Sequence, residues 1–318
     1  MLVYEKITNI TAKFKNNVVV LGTFDGVHIG HQKIIRRATQ LAEKINGKSI
    51  VFTFSNHPLE IIAPERVPRK ISNNRCKEKE LSELGIDILM NIPFTKKFAD
   101  ISPADFLKML QENLSPRYIV VGPNCTFGYK GEGTPQFLQD KEKEYGFIAE
   151  IPDAAYLHNK IVSSSRVRHA LLDGKLALAN ELLGHPFYIE GEVVHGEHRG
   201  HILGIPTANI YISDKYVMLP DGVYAALVYV GGKKYQGAAN IGDNPTFNVK
   251  ARRVEVNIFE FDKDIYGQTI KVCFLKKLRG EEKFSSAAKL IIQMNKDIED
   301  TKNYLKNYRD SRIDNILP

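Results

Sequence analysis

The sequence has little cysteine: Cys76, Cys125 and Cys273 are the three in 318 residues, far apart and with no C-x-x-C pair. That excludes a disulfide framework and a cysteine-built zinc site, and it points to reduced thiols in a reducing compartment, the cytoplasm. No apolar run approaches the roughly 18–20 residues that span a bilayer. The opening MLVYEKITNITAKF lacks the apolar core of a signal peptide. Internal repeats and low-complexity segments are missing too. No basic tract is interleaved with aromatics, and no long run of Lys or Arg occurs. The net charge of +7 therefore fits an enzyme that handles several phosphates better than a nucleic-acid binder, its other reading. What is present is a globular composition, 43% hydrophobic and 25% charged, on a chain long enough for two domains.

The first part alternates strand and helix signals. Apolar runs at 18–21, 50–54, 88–92, 118–121 and 147–151 read as strands. Between them Ile34, Ile35, Ala38, Leu41, Ala42 and Ile45 recur at helical spacing, 75–84 reads as a charged helix, and Thr134-Pro135 opens another. Ser102-Pro103-Ala104-Asp105 places a cap, a first-turn proline and a third-position acid before a further helix. This alternation predicts an α/β domain, a doubly wound parallel sheet with helices on both faces. Helix 176–183 stops at Gly184, and there the rhythm changes. Residues 188–194 alternate, 223–230 and 233–239 flank Gly231-Gly232, and 254–261 and 269–275 add two more strands. A small closed antiparallel β-barrel is expected, finished by a terminal α-helix over 285–308. The boundary falls near 183–187, giving domains 1–184 and 185–318.

Residues 19–31 read VVLGTFDGVHIGH. A strand enters a glycine turn, and His28 and His31 follow around Gly30, where a helix begins. Bare backbone, a helix N-terminus and two imidazoles at the C-terminal edge of a parallel sheet suit a phosphate. The bland alternative is a polar turn with surface histidines. Asp25 is either a polar anchor in that pocket or a cap of the turn. Downstream, Ser163, Ser164 and Ser165 precede Arg166 and Arg168 at a helix start, a set able to grip a triphosphate or merely to cap a helix. In the second half Gly196, Gly200 and Gly204 make a pliable loop before Pro206-Thr207-Ala208-Asn209.

These motifs carry a resemblance. G-x-F-D-G-V-H-x-G-H resembles the signature of the nucleotidylyltransferase superfamily. In this longer form it resembles the adenylyltransferase half of bacterial bifunctional riboflavin kinase/FAD synthetases. Phe54-Ser55-Asn56-His57-Pro58 is similar to the family's F-x-P-H-P, and Gly122 with Asn124, Phe127 and Gly128 to its G-x-[ND]-F-x-F-G loop. Residues 162–168 are similar to I-S-S-T-x-I-R, and 206–209 is the P-T-A-N of riboflavin kinases. Pro220-Asp221-Gly222-Val223-Tyr224-Ala225, Asn240-Ile241-Gly242, Asn244-Pro245-Thr246-Phe247, the strand around Glu255, and Leu278-Arg279 follow in the family's order. The resemblance covers roughly residues 15–306.

The resemblance implies two ATP-dependent reactions, riboflavin to FMN in the C-terminal domain and FMN to FAD, with pyrophosphate released, in the N-terminal one. It implies catalytic roles for His28, His31, Ser164, Arg168 and Glu255. For ATP it implies Gly22, Phe24, Asp25, Gly30, Ser165, Arg166, Gly196, Gly200 and Gly204; for the flavin, His57, Asn124, Phe127 and Arg279. Thr207 and Asn209 are hard oxygen ligands suited to Mg²⁺. Glu255 alternates with Val254 and Val256, so it faces away from them, as a base or as an ordinary solvent-facing residue. The implied partners are riboflavin, FMN and ATP, with neither nucleic acid nor membrane. The sequence departs from the family at Asn56 for proline, Cys125 for an aromatic, Ser165 for threonine, His201 for arginine and Ile205 for phenylalanine. Two other readings stay open: a chain that keeps only one activity, and a flavin-binding regulator without catalysis.

Overall fold

The computed structural model describes residues 1–196, 205–243 and 251–308. They form two compact units, Met1–Pro68 with Ser72–Ser163, and Arg69–Ile71 with Ser164–Pro318.

The first unit runs β1 (Leu2–Tyr4), β2 (Asn17–Leu21), α1 (Ile29–Lys44), β3 (Ser49–Phe54), α2 (Leu59–Ile62), α3 (Asn74–Glu83), β4 (Ile88–Ile92), α4 (Lys96–Ala99), α5 (Pro103–Leu114), β5 (Pro116–Val120), α6 (Pro135–Tyr145), β6 (Ile148–Glu150) and a small hairpin of β7 (Tyr156–Leu157) and β8 (Lys160–Ile161). Six strands make one parallel sheet in the order β1-β4-β3-β2-β5-β6. β2 and β4 are buried at every position because the sheet is covered on both faces, which is why they are apolar apart from Asn17 and Asn91. Ile35, Ala38 and Leu41 of α1 and Leu81 of α3 pack on Val18, Val20, Val51 and Leu89 on one face. Phe106, Leu107 and Leu110 of α5 and Leu138 of α6 pack on Val19, Leu21, Phe52 and Met90 on the other. Each of these side chains larger than alanine contributes about 1.5–3 kcal/mol through burial. The strand order reverses on either side of β2, so the crevice for a ligand opens at its C-terminal end.

The expected cap is present: Ser102 accepts from Asp105 N at 3.1 Å, with Pro103 in the first turn. β1 is an addition to the reading of the sequence. It is an exposed edge strand whose only signal is its pairing with β4, Leu2 opposite Ile88.

The second unit runs α7 (Ser164–Leu172), α8 (Leu176–Leu183), β9 (Tyr188–Glu192), β10 (Ala208–Ser213), β11 (Gly222–Val230), β12 (Lys233–Asp243), β13 (Ala251–Ile258), β14 (Thr269–Arg279) and α9 (Ala287–Lys306). Its strands are all antiparallel, in the order β10-β13-β12-β11-β14-β9. A bridge between Val194 and Asn209 brings the two edges together, so the sheet nearly closes as a barrel. Gly231 and Gly232 take φ of 54° and 78°, the left-handed pair that a tight β11–β12 hairpin requires. Outside the barrel, Leu305 of α9 packs with Leu227, Tyr229, Cys273 and Leu275. Gly184 (φ 79°) ends α8. The barrel begins beyond it, while α7 and α8 group with the barrel by packing: Asn180 of α8 bonds Phe274 O at 3.2 Å and Phe187 N at 2.7 Å.

Candidate active sites

In the first unit, β2 delivers the chain into the turn 22–27 at the sheet's crevice. Gly22 lies against Phe24: a Cβ there would come within 2.7 Å of the ring. Phe24 and Val27 are both 1% exposed and hold φ of 50° and 26°. The turn ends at His28, which caps α1 by accepting the His31 N–H on Nδ1 at 3.3 Å. With Nδ1 accepting, Nε2 is the ring nitrogen left to donate. His31 stacks on His28, ring centroids 3.6 Å apart and 15° from parallel, and stands edge-on to Phe24 at 5.2 Å. Gly30 leaves room for the pair, since a Cβ would lie 3.2 Å from the His28 ring. The first turn of α1 carries no acidic residue. Two imidazoles and the positive end of a helix dipole thus meet without a competing carboxylate on that turn, an arrangement that stabilises an anion. Asp25 holds the turn itself, accepting from Ser72 N on Oδ1 at 3.3 Å.

The stretch before the hairpin β7–β8 lies against α1: Lys33 Nζ donates to Asp153 O at 2.7 Å. Ser164, Ser165, Arg166 and Arg168 follow directly in sequence at the start of α7, which groups with the second unit. There Arg168 Nε donates to Arg69 O at 2.8 Å. The expected flavin residues of the first unit divide. His57 is half-buried and accepts from Leu59 N on Nδ1 at 3.1 Å. Asn124 is exposed. Phe127 packs between Phe106 and Phe137, and Gly133 allows this because a Cβ would come within 2.5 Å of the Phe127 ring.

In the second unit the strand register sets the site. Asn209 lies opposite Glu255, Glu255 opposite Asn240, Asn240 opposite Val223, and Val223 opposite Arg279. Directly opposed residues share a face, so one row crosses five strands, on the side away from the fully buried Val254 and Val256. Asn209 is 5% exposed, and its Oδ1 finds no hydrogen-bond partner among the described residues. Its Nδ2 reaches Thr207 O at 3.4 Å, and Gly196 presses on it so closely that a Cβ would fall 2.3 Å from Nδ2. Glu255 is half-buried, with Oε1 at 3.3 Å from Arg253 Nε, a partner that the sequence reading missed. At the far end of the row Arg279 grips the buried Asp297 of α9, Nε to Oδ1 at 3.0 Å and the terminal nitrogen to Oδ2 at 2.8 Å. Asp297→Ala leaves that guanidinium without its partner and is expected to destabilise the chain by roughly 3 kcal/mol. Urea unfolding of the full chain checks this, an unchanged midpoint being the contrary result. Gly200, Gly204, His201 and the segment 244–247 lie outside the described residues.

Residues 10–166 match the FAD synthetase family and residues 183–305 the riboflavin kinase family. The chain is 37% identical over 297 residues to the bifunctional riboflavin kinase/FMN adenylyltransferase of Bacillus subtilis (strain 168), covering 92% of this chain and 94% of that protein. The chain belongs to the bifunctional riboflavin kinase/FMN adenylyltransferase family. The Escherichia coli (strain K12) member is 36% identical over 282 residues, 88% of this chain and 90% of its own. A solved structure described as a macrolide-efflux protein from Streptococcus pneumoniae is also similar, at 33% identity and a TM-score of 0.85, covering 97% of this chain and 100% of that one. Among the described residues here no helix is long and apolar enough to cross a membrane.

Within this riboflavin kinase/FMN adenylyltransferase chain Asn56 and Cys125 have local structural roles. Asn56 pairs with the Phe94 backbone twice, Nδ2 to O at 3.0 Å and Oδ1 from N at 2.7 Å, tying the end of β3 to the segment after β4. Cys125 packs against the α5–α6 core, and burial pushes its thiol up to about 12. It serves as an apolar filler there, not as a nucleophile. Cys76 and Cys273 are 3% and 4% exposed. Ile205 is buried, 8% exposed.

Proposed function

We propose that this chain phosphorylates riboflavin to FMN in its domain 185–318 and adenylylates FMN to FAD in its domain 1–184. The observation that carries the reading is that each compact unit holds its own constellation: the His28–His31 pair at the N-terminus of α1 in one, and the facing Asn209 and Glu255 in the other. In the kinase step the terminal ribityl hydroxyl of riboflavin attacks the γ-phosphorus of ATP, and ADP leaves. Glu255 takes or steers the hydroxyl proton. Arg253 holds that carboxylate from two residues away on the same strand. Mg²⁺ bound with the nucleotide supplies neutralisation of phosphate charge. The enclosed Asn209 Oδ1 fits such an ion, being a hard oxygen with no hydrogen-bond partner among the described residues, with Thr207 beside it. In the second step a phosphate oxygen of FMN attacks the α-phosphorus of ATP, and pyrophosphate leaves. His28 and His31 donate to the phosphoryl oxygens as charge builds; the family resemblance alone supports a phosphate-holding role for Ser164, Ser165, Arg166 and Arg168. His57, Asn124 and Phe127 are proposed for the flavin, and Arg279 for riboflavin beyond its pairing with Asp297.

Incubation with riboflavin, ATP and Mg²⁺, followed by chromatography of the flavins, tests both steps. FMN without FAD removes the adenylyltransferase; FAD from supplied FMN but none from riboflavin removes the kinase. A sharper test lies at Gly196. Its substitution by alanine displaces the Asn209 amide, so FMN formation is expected to fall about 100-fold. Conversion of supplied FMN to FAD should continue at the original rate, and equal loss of both would count against Asn209.

A further inference from the structure

We infer that Ser72 is a positioning residue for the turn that carries His28 and His31. The inference rests on the adenylyltransferase reading of that turn. Ser72 lies far from the turn in sequence but clasps it with two reciprocal bonds: Gly26 N donates to Ser72 Oγ at 3.3 Å, and Ser72 N donates to Asp25 Oδ1 at 3.3 Å.

The turn needs holding. Phe24 and Val27 both sit at positive φ, 50° and 26°, and Val27 is β-branched. Residues in such regions cost of order 1–3 kcal/mol each and persist only where their surroundings fix them. Phe24 is also the ring on which His31 stands edge-on, so a shift of the turn moves an imidazole. Two other side chains steady the ends of the turn, Thr53 Oγ1 to Thr23 O at 3.2 Å and Gln32 Nε2 to Val27 O at 3.0 Å. Ser72 holds its middle.

Ser72 is itself held by its neighbour in the chain: Asn73 just after it caps α3, accepting from Cys76 N at 2.8 Å. The hydroxyl and N–H beside this anchor reach the turn with little freedom left to lose. Bonds of 3.3 Å are at the long end of the range and contribute little to global stability. Their removal therefore acts on where the turn sits and leaves the fold in place.

The test uses the full chain with Ser72→Ala and Ser72→Thr beside His28→Ala. It measures FAD formation from supplied FMN and ATP, and FMN formation from riboflavin. Ser72→Ala is expected to lower kcat for FAD formation about tenfold with KM for FMN little changed. Ser72→Thr, which keeps the hydroxyl on the same carbon, should restore it, and FMN formation should be unchanged in both. Full kcat in Ser72→Ala, or Ser72→Thr as slow as Ser72→Ala, overturns the inference. FAD formation at the original rate in His28→Ala overturns instead the site reading beneath it. Should Ser72→Ala lose FMN formation too and prove unfolded, amide exchange of the unaltered chain decides. The Gly26 N–H is expected to be protected, and exchange at the rate of an open amide overturns the clasp.

Discussion

His28→Ala is expected to abolish FAD formation from supplied FMN while FMN formation from riboflavin continues. The expected loss is about 10²–10³-fold in kcat, the usual effect of removing one donor aimed at a developing oxyanion. The substitution removes two things at once. It deletes an imidazole stacked 3.6 Å from His31, and it deletes the cap that accepts the His31 N–H. Loss of a cap costs about 1 kcal/mol of stability. His28→Asn separates the two, because an asparagine oxygen caps a helix as well as the imidazole does but offers no comparable ring to the phosphates. The asparagine variant should therefore melt near the unaltered chain and still fail to make FAD. If a folded His28→Ala chain lost FMN formation as well, separate sites in the two units would be untenable.

Glu255→Gln should give the reverse result: FMN formation lost by about 10²–10⁴-fold, the range for a positioned general base, and supplied FMN still converted to FAD. Glutamine keeps the length of the side chain and its place opposite Asn209 and Asn240, so the barrel register has no reason to change. What it removes is the negative charge that faces Arg253 Nε at 3.3 Å and that would receive the riboflavin proton. Chromatography of flavins formed from riboflavin and ATP measures this. A Glu255→Gln chain that makes FMN at full rate would return Glu255 to the class of ordinary strand carboxylates.

Much of this was legible in the sequence because it is local. Ser102-Pro103 as a helix start, Gly184 as a helix end, Gly231-Gly232 as a hairpin and the buried runs of β2 and β4 each follow from a few adjacent residues. The helix start at the histidine pair and the facing of Glu255 away from Val254 and Val256 are likewise local. What escaped is long-range. The bond from Gly26 to Ser72 spans 46 residues and has no periodic signature. Segment Arg69–Ile71 leaves the half of the sequence in which it is written and packs with the barrel unit. Arg279 meets Asp297 only because α9 folds back on the barrel, 18 residues later in the chain. The partner of Glu255, Arg253, is near in sequence, and period-two spacing on one strand was the signal that could have found it.

The three cysteines have a practical consequence. With Cys76 and Cys273 enclosed and the Cys125 thiol held protonated near neutrality, this chain is close to silent toward alkylating reagents. One cysteine engineered at an exposed position would be the dominant thiol to take up a maleimide dye. The two reactions could then be followed by fluorescence on the otherwise native enzyme, with no need for a cysteine-free background.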